Sequence, residues 1–244
     1  MAGTKKNYQK DWASLNWFEA QVDKKNSLSS YFAHDKNGYQ IFRHEEIISV
    51  LNLCKNALNN DSFLDIGCAD GFLTNKVFKQ YNFNEGHGVD FLESIVEIGK
   101  EKYPNIKFRV CSIDSINFNQ NSFDLIIMSE VLYYIKTERQ KNILEDIKNK
   151  LKPNGLLLIS SVFGDEYFFE NDLINLLKPN FSIIQKKYLF MKIFNIITKP
   201  FFYFNRLNYF ISNNAEPASE YQRKRFIKYK RIFYFPFVSV MISF

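Results

Sequence analysis

Apolar residues recur with two different periods through the middle of the chain, and the two patterns alternate. Stretches with apolar residues three or four positions apart predict helices, and short continuous apolar runs, such as 125–128 and 156–159, predict buried strands. Helices are predicted at 39–58, 72–80, 94–102, 137–151 and 172–177. Strands are predicted at 62–66, 106–111, 123–129, 156–162, 181–188 and 233–243, and a further strand ends at residue 90. Strands alternating with helices indicate right-handed βαβ units, so we predict an α/β fold with a parallel sheet.

The segments outside this alternation differ in character. Residues 1–38 are polar with scattered aromatic side chains and predict short helices, and residues 191–231 interrupt the pattern before the last strand. No Pro-, Gly- or Ser-rich linker divides the 244 residues. A single domain is therefore predicted.

Positive charge is concentrated near the end of the chain. The net charge is +6, while residues 191–244 alone carry nine Lys or Arg against two Glu, so the remainder is close to neutral. The basic residues are interleaved with bulky aromatics and belong to no recognisable RNA-binding module. We therefore expect no nucleic-acid partner and predict that 191–231 forms a basic, aromatic lid. The alternative interpretation is a solvated basic helix beside a hydrophobic patch.

Cysteine content and hydropathy indicate the compartment. The three cysteines, Cys54, Cys68 and Cys111, are odd in number and lack metal-ligand spacing, so we predict no metal site and a reducing cytoplasm. No leader sequence is recognised at the N-terminus, and charges or prolines interrupt the apolar stretches before they reach the length of a membrane span. Peripheral contact with a membrane surface stays open, and the oligomeric state is not predicted.

The main chemical signal lies between the first two strands. Asp65 ends the first strand and Gly67 begins a turn that continues to Gly71, where backbone can approach a ligand closely at the carboxyl edge of the sheet. Asp90 ends the next strand, nineteen residues beyond Gly71. A carboxylate there can accept hydrogen bonds from both hydroxyls of a ribose.

Two ligand classes fit a ribose-binding acid: dinucleotides and S-adenosylmethionine. A dinucleotide fingerprint needs small residues at 67, 69 and 72, and Phe72 blocks the close helix–strand packing of such a site. Asp65 also favours a ligand with a cationic end over a pyrophosphate. The sequence therefore predicts S-adenosylmethionine as the cofactor.

Residues 39–190 resemble the class I S-adenosylmethionine-dependent methyltransferases. The resemblance rests on the blocks at 64–71, 88–90, 122–126 and 151–155. It implies a Rossmann-like, mostly parallel seven-stranded sheet with an antiparallel last strand, in which 1–38 is an N-terminal cap, 39–190 the cofactor-binding core, 191–231 the insertion and 232–244 the last strand. It also implies methyltransferase activity.

The resemblance assigns roles to residues around the cofactor. Asp65, Gly67 and Gly71 would surround its methionine part, and Asp90 and Phe91 would contact the ribose and adenine. The family usually has glycine where this chain has Ala69, the mildest replacement.

A polar residue after the third strand would reach the adenine amino group. Ser112 and Asp114 both fit, and we favour Asp114.

The block 129–134 is similar to the nodulation-type sugar N-methyltransferases, as is the segment 39–43. By position, Ser129 and Glu130 would line the pocket and Tyr134 would lie near the acceptor, although Tyr134 and its neighbour Tyr133 also fit simple packing. Arg43 would pair with the cofactor's carboxylate. Glu130, Tyr134 and His44 are the candidate catalytic residues, and His34 lies in the same N-terminal region as His44 and is considered with it.

The expected reaction is methyl transfer to a small-molecule acceptor, by N- or O-methylation. A sugar, or a nucleotide-linked or phosphate-bearing glycan precursor, is favoured, and an anionic or lipid-linked acceptor would suit the basic lid. Methylation of RNA or protein is the alternative enzyme, and a catalytically silent cofactor-binding subunit is the alternative of another class.

Overall fold

A seven-stranded sheet with helices packed against it forms the described part of the protein. The computed structural model describes His34 and residues 38–162, 168–189 and 237–243. The helices are α1 (Gly38–Leu53), α2 (Phe72–Tyr81), α3 (Glu93–Lys102), α4 (Thr137–Lys150) and α5 (Glu170–Leu177). The strands are β1 (Ser62–Ile66), β2 (Glu85–Asp90), β3 (Lys107–Val110), β4 (Phe123–Ser129), β5 (Leu151–Val162), β6 (Ser182–Leu189) and β7 (Phe237–Ser243).

The strand order is β3-β2-β1-β4-β5-β7-β6. Strands β1 to β5 pair in parallel, and β7 inserts antiparallel between β5 and β6. The predicted α/β, Rossmann-like, mostly parallel sheet with an antiparallel last strand is confirmed. Because β1 and β4 are central and their chain directions agree, the carboxyl ends of β1, β2 and β4 meet at one edge.

Two predicted boundaries differ from the structure. The helix predicted to reach residue 58 ends at Leu53, and Lys55–Ala57 forms a separate 3-10 turn. The strand predicted from residue 156 begins at Leu151, because Leu151 already pairs with Phe123 before the register shifts between Phe123 and Leu125. A bulge with Asn154 at φ +64° absorbs the extra residues.

Buried apolar side chains cover both faces of the sheet. Leu64, Ile126 and Leu157 point into one cluster, and their strand neighbours Phe63 and Leu125 point into the other. This alternation explains why the central strands read as continuous apolar runs.

Phe108 of β3 occupies a niche made by three glycines. A Cβ atom would lie 2.4 Å from its ring at Gly71, 2.6 Å at Gly88 and 3.5 Å at Gly99. This close packing draws α3 and the start of α2 against the β2–β3 edge, which positions the turn after β1.

Three predicted regions lie largely outside the described residues. The cap 1–38 is described only at His34 and Gly38, the insertion 191–231 is not described, and the last strand is described from Phe237. Among the helices that are described, none is long and apolar enough to cross a membrane.

Candidate active site

A pocket of about 410 Å³ lies where the carboxyl ends of β1, β2 and β4 meet, bounded on one side by α1. This volume falls within the range of small-molecule sites. All predicted site residues except Gly71 line it: Arg43, His44, Asp65, Gly67, Ala69, Asp90, Phe91, Ser112, Asp114, Ser129, Glu130 and Tyr134. The fold therefore brings together positions that are far apart in the sequence.

The turn after β1 is held in a conformation that favours glycine. Gly67 has φ +73°, and its N–H donates to the Val89 carbonyl at 2.8 Å. A Cβ on Gly67 would lie 2.3 Å from a methyl group of Val131. Ala69 also has a left-handed backbone, with φ +48°, so this chain places a side chain where glycine would be unstrained.

Asp90 is tied to this turn by its carboxylate. One oxygen accepts the Ala69 N–H at 3.0 Å and the other accepts the Leu92 N–H at 3.1 Å. Burial raises the pKa of Asp90, while these backbone hydrogen bonds lower it. Each carboxylate oxygen has two lone pairs, so the orientation imposed by the backbone leaves capacity for ribose hydroxyls.

Asp65 has a drier environment. Its side chain is almost fully buried and accepts a hydrogen bond from the Thr74 hydroxyl at 2.7 Å. Burial raises the pKa of Asp65 to about 7, the nearby charge of Asp90 adds to the shift, and the Thr74 hydrogen bond opposes it. A cationic ligand group in the pocket would favour the ionised form.

Phe91, Ser112 and Asp114, the residues predicted to contact the adenine, also line the pocket. Phe91 is 41% exposed, which leaves an aromatic face accessible at the pocket. The Ser112 hydroxyl is 3.0 Å from that of Ser115, and Asp114 forms an ion pair with Arg139. Both candidates for the adenine contact are at the pocket, so the choice of Asp114 stays a prediction.

Helix α1 supplies a second group of side chains. Arg43 and His44 are buried and line the pocket beside Gln40. Burial lowers the pKa of His44 well below its usual range, and His34, Arg43 and Lys76 lower it further. His44 is therefore neutral near pH 7, and its Nδ1 is buried without a hydrogen-bond partner among the described residues.

His34 lies beside His44, with ring centroids 5.1 Å apart in an edge-on arrangement. Burial lowers the pKa of His34 to about 3, with smaller contributions from Arg43 and Lys102. Its Nδ1 is 3.8 Å from the Asp70 carboxylate, but an imidazole with this pKa is uncharged at neutral pH. The contact is therefore not an ion pair under those conditions.

Glu130 follows β4 with a left-handed backbone, at φ +59°. Its buried carboxylate accepts a hydrogen bond from the Tyr133 hydroxyl at 3.1 Å and a longer one from the Ser160 hydroxyl at 3.5 Å. The sequence predicts neither Tyr133 nor Ser160 as a site residue. The signal present is the polar pair Ser160-Ser161, which interrupts an otherwise apolar buried strand.

Comparison with known proteins agrees with this arrangement. The family described as "Methyltransferase domain" matches residues 58–206, well over half of the chain. The chain belongs to the class I S-adenosylmethionine-dependent methyltransferases. The family, the cofactor and the methyltransferase assignment predicted from the sequence are thereby confirmed.

Two curated relatives of this methyltransferase differ in their named activities. The malonyl-[acyl-carrier protein] O-methyltransferase of Halalkalibacterium halodurans is 28% identical over 133 residues, covering 52% of this chain and 48% of that protein. The carboxy-S-adenosyl-L-methionine synthase 1 of Yersinia pseudotuberculosis is 27% identical over 116 residues, covering 43% and 48%. The chain spans about half the length of these relatives, so their names do not fix its acceptor.

A solved structure shares the fold of this methyltransferase over nearly its whole length. The N-methyltransferase NodS of Bradyrhizobium japonicum, in complex with S-adenosyl-L-homocysteine, has a TM-score of 0.62 and 15% sequence identity. The similarity covers 93% of this chain and 96% of NodS.

The residues of the pocket fit the family's cofactor. The buried carboxylate of Asp65 and the half-buried carboxylate of Asp90 are suited to a molecule that combines cationic groups with ribose hydroxyls, and Arg43 is suited to a carboxylate. S-adenosylmethionine supplies an electrophilic methyl group on a sulfonium sulfur. The protein's part is to orient that group and the acceptor.

Two predicted roles are refined by the structure. Gly71 does not line the pocket; its φ of +77° and its contact with Phe108 show that glycine is needed there for the turn and its packing. Tyr134 lines the pocket, but it packs against the cluster around Cys68 and Leu92, whereas its neighbour Tyr133 contacts Glu130. A catalytic role for Tyr134 stays a prediction.

Proposed function

We propose that this chain transfers the methyl group of S-adenosylmethionine to a small polar acceptor, of the kind of a sugar or a phosphate-bearing glycan precursor. The observation that carries the proposal is a group of buried polar side chains in the pocket wall. Besides the residues that fit the cofactor, the wall contains Gln40, His44 and Glu130, all of them buried. Converging hydrogen-bonding groups in a buried pocket suit a small acceptor with hydroxyl, amine or anionic groups.

Positioning would provide most of the rate enhancement. The electrophile is already activated, so holding the acceptor atom about 3–3.5 Å from the methyl carbon is the main requirement. Glu130, His44 and Tyr134 are the candidates for orienting the acceptor or receiving its proton. His44 is neutral near pH 7 and can accept a hydrogen bond, but its lowered pKa makes it a weak base.

The basic insertion supports an anionic acceptor. Residues 191–231 lie outside the described residues, so this support comes from the sequence alone. The positive charge of this segment would attract a nucleotide-linked, phosphate-bearing or lipid-linked glycan, the last of these at a membrane surface. A cytoplasmic location would suit each of these acceptors.

Methyl transfer from labelled S-adenosylmethionine tests the proposal. The full chain is incubated with sugar phosphates, nucleotide sugars, a lipid-linked sugar, total tRNA and a protein extract, and labelled product is measured for each. Transfer to a sugar-containing small molecule is expected. Transfer to tRNA or protein alone would overturn the proposed acceptor, and S-adenosylhomocysteine binding without any transfer would favour a silent subunit.

A further inference from the structure

Glu130 combines two unfavourable features, a left-handed backbone and a buried carboxyl group. A left-handed backbone is unfavourable for a non-glycine residue, and burial opposes ionisation of its carboxyl group. The N–H of Glu130 donates to the Ser160 carbonyl at 3.0 Å, which fixes the backbone at this point. Strained, buried acids of this kind concentrate at functional sites.

A short network of hydroxyl groups surrounds the carboxylate. The Tyr133 hydroxyl donates to one oxygen at 3.1 Å, and the Ser160 hydroxyl lies 3.5 Å from the other. Ser160 is fully buried on β5, directly opposite Ser129 on β4, and the two hydroxyl oxygens are 2.9 Å apart. The network thus links the two strands behind the pocket to the side chain that faces it.

We propose that Tyr133 and Ser160 are positioning residues that hold the Glu130 carboxylate toward the acceptor, and that the methylated atom therefore carries hydrogen. The acceptor atom is an amine nitrogen or a hydroxyl oxygen, and not a carboxylate or phosphate oxygen. This inference rests on the proposed function, because it assigns the atom that is methylated in that reaction.

Electrostatics separates the two classes of acceptor atom. A carboxylate can accept about four hydrogen bonds, so Glu130 can receive one N–H or O–H in addition to the Tyr133 and Ser160 hydroxyls and the Val162 backbone. An anionic oxygen in the same place would face a like charge in a dry pocket. The nearby Arg43 guanidinium favours the ionised form of Glu130, and the ionised carboxylate disfavours an anionic acceptor atom.

The step balances without a further reactant. A lone pair of the acceptor nitrogen or oxygen forms the bond to the methyl carbon, and the electrons of the breaking carbon–sulfur bond stay on sulfur. The proton lost by the acceptor atom passes to the Glu130 carboxylate and then to solvent.

The chain offers a matched pair of serines for the test. Ser160→Ala removes a hydroxyl from the network, whereas Ser161→Ala removes an equally buried hydroxyl that donates to the Val162 carbonyl instead. With glucosamine 6-phosphate and labelled S-adenosylmethionine, Ser160→Ala and Tyr133→Phe should each lower kcat/KM about tenfold, as expected for a lost hydrogen bond to a charged group. Ser161→Ala should stay within about twofold of the wild type, because its hydroxyl does not contact Glu130. Unchanged S-adenosylhomocysteine affinity shows that each variant is folded.

A second measurement does not depend on any acceptor. Carbon-13 NMR of labelled glutamate carboxyls, assigned with Glu130→Gln, follows the titration of Glu130. The groups that face it are Arg43 on α1, the Tyr133 and Ser160 hydroxyls, and the Val162 backbone. Because the hydroxyls stabilise the ionised form, Ser160→Ala should raise the pKa of Glu130 and Ser161→Ala should not. Equal values in the two variants would overturn the positioning role.

The site of labelling tests the acceptor class. Methyl groups on amine nitrogen or ether oxygen resist mild alkali, whereas carboxylate methyl esters release methanol, and mass spectrometry identifies a methyl phosphate. A methyl ester of a carboxylate or phosphate would overturn the inference while leaving methyl transfer intact. No transfer to any acceptor by the wild-type protein would instead contradict the proposed function.

Discussion

Replacing Asp65 by asparagine should stabilise the protein at alkaline pH while weakening cofactor binding. The two side chains have nearly the same shape, and the carbonyl oxygen of the asparagine amide could still accept the Thr74 hydrogen bond. What the substitution removes is a buried carboxyl group that ionises with difficulty. The buried carboxylate of Asp65 therefore lowers the stability of the protein but favours binding of the cofactor.

The direction and size of the pH-dependent stability change follow from the raised pKa of Asp65. Folding shifts the pKa of Asp65 from 3.8 to about 7, so between these values the folded state holds a proton that the unfolded state has lost. Stability consequently falls as pH rises through this window, by about 4 kcal/mol in total, because each pH unit corresponds to about 1.4 kcal/mol. The buried asparagine amide has its own cost of about 1–3 kcal/mol, but that cost does not depend on pH.

Urea unfolding of wild type and Asp65→Asn at several pH values, without cofactor, measures the effect. From about pH 5 to about pH 8 the free energy of unfolding of the variant should gain about 3 kcal/mol relative to the wild type. Calorimetry should show weaker S-adenosylhomocysteine binding by the variant at the higher pH. A stability difference that is the same at every pH would refute the account of Asp65.

Two further predictions concern packing and charge. Gly71→Ala should lower the free energy of unfolding by more than the cost of left-handed strain, which is about 1–2 kcal/mol, because the added Cβ would also collide with Phe108. A variant whose unfolding temperature is not lower than that of the wild type would contradict this. Neutralising Arg223, Lys224 and Arg225 together should raise the acceptor KM as high salt does, because exposed charges are screened beyond about 8 Å at physiological ionic strength. Neither the charge-neutralised variant nor high salt should change the cofactor affinity appreciably. If neither changes the acceptor KM, the acceptor is uncharged.

The cofactor half of the site follows from local sequence features. Asp65, Gly67 and Asp90 each lie at the end of a strand or in the turn after it, and parallel strands bring those ends to one edge. The left-handed φ of Ala69 gives a physical reason for the glycine usual at this position in the family. These features are encoded within short segments, so the sequence could reveal them.

The acceptor half depends on contacts between distant segments. Ser160 meets Glu130 because β5 pairs with β4, and a serine within an apolar strand does not by itself indicate a partner on the neighbouring strand. Likewise, Gly71 needs glycine because of Phe108, a contact that arises only when β3 and α3 pack beside the turn. Neither the role of Ser160 nor that of Gly71 could be predicted, because each depends on a contact with a residue far away in the sequence.

Calorimetric titration of S-adenosylhomocysteine into the wild type and Asp90→Ala measures whether Asp90 holds the cofactor. We expect micromolar binding by the wild type and at least about tenfold weaker binding by the variant, since a hydrogen bond to a charged acceptor contributes about 1.5–3 kcal/mol. NAD should not bind to either protein. Equal affinity of the two proteins for S-adenosylhomocysteine would contradict the role of Asp90, and tight NAD binding in its place would contradict the cofactor assignment.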